Sequence, residues 1–212
     1  MSGNVVPLAP EDETLPADER ARANVYALIA QLFFAAPDSN LFAQICADGE
    51  FADEGKASPL TQAWRALQNT CRGAYPAVIK QEYDALFVGV GKARVTLYTS
   101  HYVDKIAPDR HLVMLREQLE TLDLALGAGT FEIEDHISGV CDVMRFLIEQ
   151  QAPLAEQQRF FARFVGPRAL AICDAVTAAD LAEFYRQVAA FTRTFFEVET
   201  LAFEIEESKL CG

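Results

Sequence analysis

Two stretches in the middle of the chain combine aromatic rings with glycines or hydroxyl groups, a combination typical of binding surfaces. In the first stretch, Tyr83, Leu86 and Phe87 recur at helical spacing, and Gly89 and Gly91 follow directly. One interpretation is a core helix that ends at a glycine cap. The other is a helix end whose rings contact a ligand. The spacing alone leaves both interpretations open.

The second stretch, residues 98–102, reads Tyr-Thr-Ser-His-Tyr and interrupts the helical periodicity around it. Tyr98 and Tyr102 carry rings with hydroxyl tips, and Ser100 adds a further hydroxyl group. Such rings bury their faces while their polar ends stay hydrated, which suits contact with a peptide or ligand better than a dry core. We therefore predict a binding loop here.

An acidic segment about 30 residues later contains a histidine. It contains Glu132, Asp135, His136 and Ile137 at a junction between a loop and a helix. Acidic side chains in a first helical turn complement the helix dipole, and Asp135 is a suitable capping residue. Capping accounts for the acids, but a positive helix end disfavours a charged imidazole beside them. Capping and ligand binding therefore both stay open for this segment.

The glycine pair before Lys92 does not form a phosphate-binding loop. A P-loop requires a glycine five residues before its Gly-Lys pair and a Ser or Thr after it. Leu86 and Ala93 occupy those two positions. The third glycine of a dinucleotide fingerprint is also missing, and no strand precedes the pair. A loop that needs glycine backbone freedom is the better interpretation.

Metal and cofactor sites lack the spacing that they require. None of the three histidines has a glutamate three residues before it, so the paired Glu-x-x-His motifs of a di-metal bundle are missing. The five cysteines form no CxxC motif and suit buried, reduced thiols. We predict no cofactor and no metal ion. A small α-helical enzyme remains the alternative, because a distant Cys–His pair leaves no mark on the sequence.

The elements that position these residues are helices. Apolar residues recur at three-to-four spacing in most segments, with starts predicted at Asp38-Ser39, Ser58-Pro59, Pro76, about residue 135 and near Thr177. Loops are predicted at 88–104 and 127–134, with a helix cap at Gly127 and a break at Gly166-Pro167. We predict an all-α, single-domain bundle of about seven to nine helices over residues 17–212. A flexible acidic tail over 1–16 and a hinge at 88–107 complete this organisation.

Charge and hydropathy narrow the partners. The chain has 212 residues with 31 acidic and 18 basic side chains, a formal net charge of −13. Phosphate backbones are bound through Lys and Arg, so we expect no nucleic-acid partner. We also expect no membrane insertion, no secretory signal and a cytoplasmic location, because no apolar run is long enough and no basic segment precedes an apolar one near the start. The charge favours cationic partners.

The segments EYDALFVGVG, LYTSHY and EIEDHI occur in this order in an acidic helical chain. In that combination the chain resembles the TorD/DmsD/NarJ family of redox-enzyme maturation chaperones. The family patterns are approximately E-Y-x-x-L-F-x-G-x-G, P-Y-x-S-x-Y and E-P-x-D-H-I. The segment QQRFFARFVGP and the last helix are also similar to the family, so the resemblance covers about residues 20–205. Leu97 and Ile133 stand where the family usually has proline.

The resemblance implies a TorD-like cytoplasmic chaperone of a molybdoenzyme. Such a protein binds the apo catalytic subunit, its twin-arginine signal peptide, or both, and assists cofactor insertion and proofreading before export. Further implied partners are the molybdopterin cofactor machinery and, in a domain-swapped dimer, a second copy of the chain; a monomer is the alternative. A weak GTP-binding protein and a helical adaptor for another basic partner remain alternative functions.

The resemblance also implies which residues bind the client. An apolar groove would take the hydrophobic stretch of the signal peptide, and carboxylates would take its two arginines. Carried over residue by residue, the implied client-binding residues are Tyr83, Leu86, Phe87, Gly89, Gly91, Tyr98, Ser100, Tyr102, Glu132, Asp135, His136 and Ile137.

Overall fold

The computed structural model describes residues 15–47, 58–89, 92–103, 108–122, 124 and 135–210. In these ranges the chain folds into α-helices joined by loops, with a 3₁₀ turn at Thr99–Tyr102 and one isolated β-bridge between Tyr98 and His136. The helices are α1 (Ala17–Phe34), α2 (Ser39–Ala47), α3 (Pro59–Arg72), α4 (Pro76–Tyr83), α5 (Pro108–Thr121), α6 (Ile137–Glu149), α7 (Leu154–Phe160), α8 (Gly166–Ala178) and α9 (Phe184–Leu210). The predicted all-α bundle is confirmed, and the described helices agree with the predicted number.

Two predicted helix starts are confirmed together with their capping contacts. The Ser58 side chain accepts a hydrogen bond from the backbone N–H of Thr61 at 3.1 Å at the start of α3. At the start of α2, Asp38 Oδ1 accepts hydrogen bonds from the backbone N–H groups of Asn40 and Leu41, each at 2.9 Å. Caps of this kind are each worth about 1 kcal/mol and involve only neighbouring residues, so the sequence alone marks where these helices begin.

The last long helix begins later than the periodicity indicates. The predicted start near Thr177 is wrong, because that residue lies within α8, and α9 begins at Phe184. As predicted, the helical segment that begins at Leu154 ends at Val165, directly before Gly166 and Pro167. They occupy the first turn of α8, where the missing N–H of proline costs nothing. The chain leaves the helix at Ala179, whose backbone is extended.

Two single-turn π-helical segments follow α4 and α7. They span Asp84–Val88 and Phe161–Val165. In the first, the Gly89 N–H donates a hydrogen bond to the carbonyl of Asp84, five residues earlier, at 2.7 Å. Such turns insert one extra residue into a helix and are frequent at functional sites. Both segments carry residues that matter below.

Helices from both ends of the sequence share one core. Helix α1 packs along α6, and α9 packs along α3 and α8. Tyr26 and Phe33 of α1, Val140 of α6, Ile172 of α8 and Phe196 of α9 are all fully buried. Burial of each such side chain contributes about 1.5–3 kcal/mol of transfer free energy. The core therefore fixes both ends of α1, which matters for the site.

A buried polar network joins α1 to α9 and α7. Arg22 Nε lies 2.8 and 2.9 Å from the two carboxylate oxygens of Glu199, and the Tyr26 hydroxyl donates to the same carboxylate at 2.7 Å. Arg22 also donates to Gln157 at 2.7 Å, and its guanidinium lies 5.2 Å from the centre of the Phe203 ring. Burial and the Glu199 charge raise the pKa of Tyr26 well above its ordinary value, so the hydroxyl stays a donor.

The predicted hinge at 88–107 is described except for residues 90–91 and 104–107. Two backbone hydrogen bonds hold its described part: the Val95 N–H donates to the Leu86 carbonyl at 3.0 Å, and the Thr99 N–H donates to the Asp135 carbonyl at 2.7 Å. Hinge motion stays a prediction. Most of the predicted tail and the predicted cap at Gly127 lie outside the described residues. Among the helices of the described ranges, none is both long and apolar enough to cross a membrane.

Candidate functional site

An isolated β-bridge brings the second aromatic stretch against the acidic segment. The Ile137 N–H donates to the Leu97 carbonyl at 2.9 Å, on the other side of the Thr99–Asp135 bond. These two bonds place Tyr98 opposite His136, whose rings meet edge to face with centroids 5.3 Å apart. Two segments separated by 38 positions in sequence therefore form one surface.

The first aromatic stretch packs beside this bridge. The Tyr83 hydroxyl donates to the carbonyls of Phe34 at 2.8 Å and Phe33 at 3.1 Å, two groups that the end of α1 leaves without helical partners. The Phe87 ring meets the rings of Tyr83 and Tyr185 edge to face, at 5.2 and 4.9 Å between centroids. Burial raises the pKa of Tyr83 to about 12, so its hydroxyl remains protonated and fixes the ring.

Gly89 makes the turn between the first stretch and the loop. Its φ is +64°, a conformation that side chains with a Cβ rarely adopt. A Cβ at this position would also collide with the backbone carbonyl of Lys92. The positive φ and the lack of space for a Cβ each require glycine at this position, which supports the interpretation that its role is backbone geometry.

The residues that make these contacts line an open cleft with a volume of about 270 Å³. Aromatic rings dominate its walls, and Tyr98 keeps 40% of its surface exposed at the mouth, beside Phe34 at 56%. The lining residues are Phe34, Tyr83, Phe87, Ala93, Thr96, Leu97, Tyr98 and His136. Polar and apolar atoms contribute about equally to the lining of the cleft, so it combines ring faces with polar groups that can orient a ligand side chain or a small molecule.

His136 caps helix α6. Its Nδ1 accepts a hydrogen bond from the backbone N–H of Ser138 at 3.2 Å and lies 3.1 Å from the Ser138 hydroxyl. Burial lowers the pKa of His136 to about 4, although the neighbouring Asp135 opposes the shift. The imidazole is therefore neutral at physiological pH, as a capping acceptor must be. The expectation that Asp135 caps this helix is wrong, because the cap is His136. The helix begins at Ile137, close to the predicted start at about residue 135.

Asp135 supports the backbone of residues 98–102. Its side chain is only 6% exposed, and its Oδ2 accepts a hydrogen bond from the backbone N–H of Ser100 at 3.1 Å. The Tyr102 hydroxyl makes a second brace by donating to the Thr96 carbonyl at 2.9 Å. These residues hold the loop in shape, and none of the three lines the cleft.

The twelve predicted residues thus fall into distinct places. Tyr83, Phe87, Tyr98 and His136 line the cleft. Leu86 and Ile137 are fully buried in the core beneath it. Gly89, Ser100, Tyr102 and Asp135 shape the surrounding backbone. Gly91 and Glu132 lie outside the described residues.

Comparison with known families is informative at this point. The sequence profile of the nitrate reductase delta subunit family matches residues 53–168, more than half of the chain. A comparison with curated proteins finds no match. The chain belongs to the nitrate reductase delta subunit family. This NarJ/TorD-like family consists of molybdoenzyme maturation chaperones that act with nitrate reductase-type subunits, so the resemblance stated from the motifs is confirmed.

Within the family match, Glu82 has a role that sequence reasoning missed. Its carboxylate accepts three backbone hydrogen bonds at the start of α9, from Glu183 at 2.9 Å, Phe184 at 3.1 Å and Tyr185 at 2.8 Å. It therefore satisfies the free N–H groups of a helix about 100 residues away. Because Glu82 directly precedes Tyr83, this cap also fixes one wall of the cleft against α9.

Four lining residues were also missed: Phe34, Ala93, Thr96 and Leu97. Phe34 lies before the family match, at the end of α1. In the sequence, its only signal is an aromatic residue at the end of a predicted helix. Thr96 and Leu97 precede the Tyr98 stretch, and they lie outside any helix, so no helical periodicity marks them. Adjacency to an aromatic run was the available clue for both.

Proposed function

We propose that this chain is a cytoplasmic chaperone that binds the apo catalytic subunit of a molybdoenzyme through its twin-arginine leader. In this proposal the hydrophobic stretch of the leader inserts a side chain into the aromatic cleft, and release follows cofactor insertion. The observation that carries the proposal is the cleft itself. It unites the two motif stretches of a maturation-chaperone family and leaves Tyr98 exposed at its mouth.

The size of the cleft favours a side chain over a nucleotide. About 270 Å³ lies just below the roughly 300–1,000 Å³ of typical small-molecule sites. One leucine or phenylalanine side chain fits such a volume. The walls offer stacking and apolar contact from Tyr83, Phe87 and Tyr98, which together suit an apolar anchor in an extended or helical peptide.

We propose that the net negative charge of the chain, and not a carboxylate in the cleft, attracts the arginines of a leader. None of the described residues that line the cleft carries a carboxylate, and Asp135 is occupied by the Ser100 N–H. The net charge of −13 attracts a basic leader over a distance of about 8 Å at physiological salt. We therefore propose that anchoring is apolar and that the arginines contribute a salt-dependent attraction.

Fluorescence anisotropy with labelled leader peptides tests this division. Replacing the apolar residues of the leader stretch by serine should weaken binding at least tenfold at every salt concentration. Replacing the two arginines by glutamine should weaken binding less than this. The loss of affinity that this change causes should shrink as salt rises from 0.05 to about 0.5 M, because exposed charges are screened. Equal loss from both changes at high salt would contradict the proposed anchoring.

A matched pair of variants locates the binding surface. Tyr98→Ala removes a ring at the mouth of the cleft, whereas Tyr75→Ala removes a more exposed ring, 75% accessible, that does not line it. Only Tyr98→Ala should weaken leader binding, and neither should lower the free energy of unfolding by more than about 1 kcal/mol. Binding of GTP in the cleft in place of the leader would contradict the proposed client.

Capture from extract identifies the client. The full chain, immobilised, should retain a molybdoenzyme catalytic subunit that still carries its leader and lacks its cofactor. Retention of the cofactor-loaded subunit to the same extent would contradict a role before cofactor insertion. Retention of unrelated basic proteins alone would favour a general adaptor.

A further inference from the structure

Three basic side chains lie in or near the second π-helical segment, and the proposed function uses none of them. His111 of α5 is 2% exposed, with its ring centroid 5.6 Å from that of Phe164. Arg163 lies over the same Phe164 ring, at 5.6 Å from guanidinium carbon to centroid. Arg168 follows in the first turn of α8. We call His111, Arg163 and Arg168 the basic cluster.

The basic cluster has polar groups that the described residues do not satisfy. Arg168 Nε and His111 Nδ1 are both buried, and neither has a hydrogen-bond partner in the described part of the chain. Arg163 contacts the thioether of Met114 at 2.7 Å, a weak acceptor. Buried donors are nearly always paired, so this arrangement indicates a missing acceptor.

Arg22 also has one buried guanidinium nitrogen without a partner in the described residues, so the contrast with other arginines lies in their carboxylate partners. Arg22 pairs with Glu199, and Arg193 pairs with Asp174 and Glu197. In a chain with 31 acidic and 18 basic residues, acidic partners are plentiful. Yet among the described residues no carboxylate forms an ion pair with Arg163 or Arg168. Within the described residues, these guanidinium groups therefore lack a carboxylate acceptor.

The cluster is electrostatically strained in a way that an anion relieves. Burial and repulsion from Arg168 lower the pKa of His111, and Asp135 opposes this shift only in part. Burial and repulsion from Arg163 likewise lower the pKa of Arg168. An anion bound between the groups would remove the repulsion and accept their free N–H groups.

We propose that His111, Arg163 and Arg168 form a binding site for a phosphate group, either inorganic phosphate or a phosphomonoester. Two guanidinium groups match a dianion, and arginine forks pair with phosphate oxygens in bidentate fashion. The donors come from three elements, α5, the π-turn and α8, which suits a tetrahedral group with three acceptor oxygens better than a planar carboxylate with two. Thr99 Oγ1, 3.1 Å from His111 Nε2, can donate to it and so leave Nδ1–H for the ligand.

The negative net charge of the chain does not prevent such binding. Charges farther away than about 8 Å are largely screened at physiological salt, so the local pair of arginines dominates the potential at the cluster. Asp135, the acidic residue that acts electrostatically on His111, accepts a hydrogen bond from the Ser100 N–H.

Isothermal titration calorimetry of the full chain with inorganic phosphate, phenyl phosphate and acetate, at matched ionic strength, tests the proposal. We expect saturable binding of phosphate or phenyl phosphate at one site, and binding of acetate at least tenfold weaker. Tighter binding of phenyl phosphate would identify a phosphomonoester as the source, and equal binding would identify free phosphate. Acetate that binds as well as phosphate, or no saturable binding of either phosphate probe, would overturn the proposal.

A charge-matched control separates the site from general electrostatics. The double variant Arg163→Gln/Arg168→Gln should bind phosphate at least tenfold more weakly than the unmodified chain. The control Arg72→Gln/Arg186→Gln removes two exposed arginines from other helices and should leave binding unchanged. Arg168→Lys, which keeps the charge and loses the fork, should weaken binding less than Arg168→Gln. Because Arg163 is exposed, Arg163→Gln alone keeps the test valid if the double variant does not fold. Equal loss in both double variants would overturn the proposal.

Discussion

The two ends of helix α1 differ in how far their side chains are buried and in what those side chains contact. Near its start, Arg22 and Tyr26 meet Glu199 in a network whose members are almost wholly buried. About 18 Å farther along the helix, at 1.5 Å per residue, Phe34 forms part of the cleft beside Tyr83, and most of its ring is exposed. The members of the network are largely buried, whereas the cleft keeps the rings of Phe34 and Tyr98 accessible.

This difference separates stabilising residues from binding residues within one helix. A buried ion pair is costly to break, because removal of one partner leaves a desolvated charge. A ring at an open cleft contributes little to folding, because much of it contacts water in either state. Substitutions at the network should therefore change stability and spare binding, and substitutions at the cleft should do the reverse.

The largest expected effect is at the buried network. Glu199→Ala leaves Arg22 and the Tyr26 hydroxyl without their acceptor, and should lower the free energy of unfolding by about 3–5 kcal/mol. Urea denaturation measures this change. The control Glu197→Ala removes an exposed partner of Arg193 and should cost less than about 1 kcal/mol. If the remaining folded fraction of Glu199→Ala bound leader peptide more weakly than the unmodified chain, the separation would fail.

His136 should couple the stability of the cleft to pH. Its pKa is about 4 when folded and 6.5 when unfolded, so the unfolded state takes up the proton more readily. Stability is therefore complete above about pH 6.5 and falls as the pH decreases towards 4, by about 3 kcal/mol at most. His136→Asn keeps a capping acceptor and removes the titration, so its stability should fall less over this range. Parallel curves for both proteins would exclude this role for His136.

Glu82 joins the cleft to the scaffold, so its replacement should affect both properties. Glu82→Ala removes three hydrogen bonds to a carboxylate and should cost about 2 kcal/mol of stability in urea denaturation. Leader affinity should also decrease, because Tyr83 loses its support. Glu82→Gln, which keeps one acceptor oxygen, should fall between. The control Glu183→Ala removes an exposed carboxylate at the same helix end and should change stability by no more than about 0.5 kcal/mol.

Local signals in the sequence were sufficient for the fold class and for part of the site. Ser58 and Asp38 mark helix starts because their caps involve neighbours two or three residues away. One cleft is lined by four of the predicted motif residues, Tyr83, Phe87, Tyr98 and His136. The sequence could indicate them because aromatic residues next to glycines or loops often lie at the protein surface. The role of that cleft in client binding stays a prediction.

Contacts between distant segments were beyond such signals. The bridge from Tyr98 to His136 and the cap that Glu82 provides for α9 join residues 38 and about 100 positions apart, and no local periodicity records such pairs. The start of α9 was misplaced for the same reason, since the Glu82 carboxylate marks its first turn. Asp135 looked like a cap by type, but its hydrogen bond to Ser100 depends on the same long-range bridge.

A double-mutant cycle between the chain and the leader tests the central claim most directly. One axis is Tyr98→Ala in the chain, and the other replaces the single apolar leader residue with the largest effect by alanine. The account predicts a coupling energy of at least about 1 kcal/mol, because the two side chains contact each other. The Tyr75→Ala axis should give coupling below about 0.5 kcal/mol. Independent, additive effects of Tyr98→Ala with every apolar leader position would contradict a cleft that receives the leader.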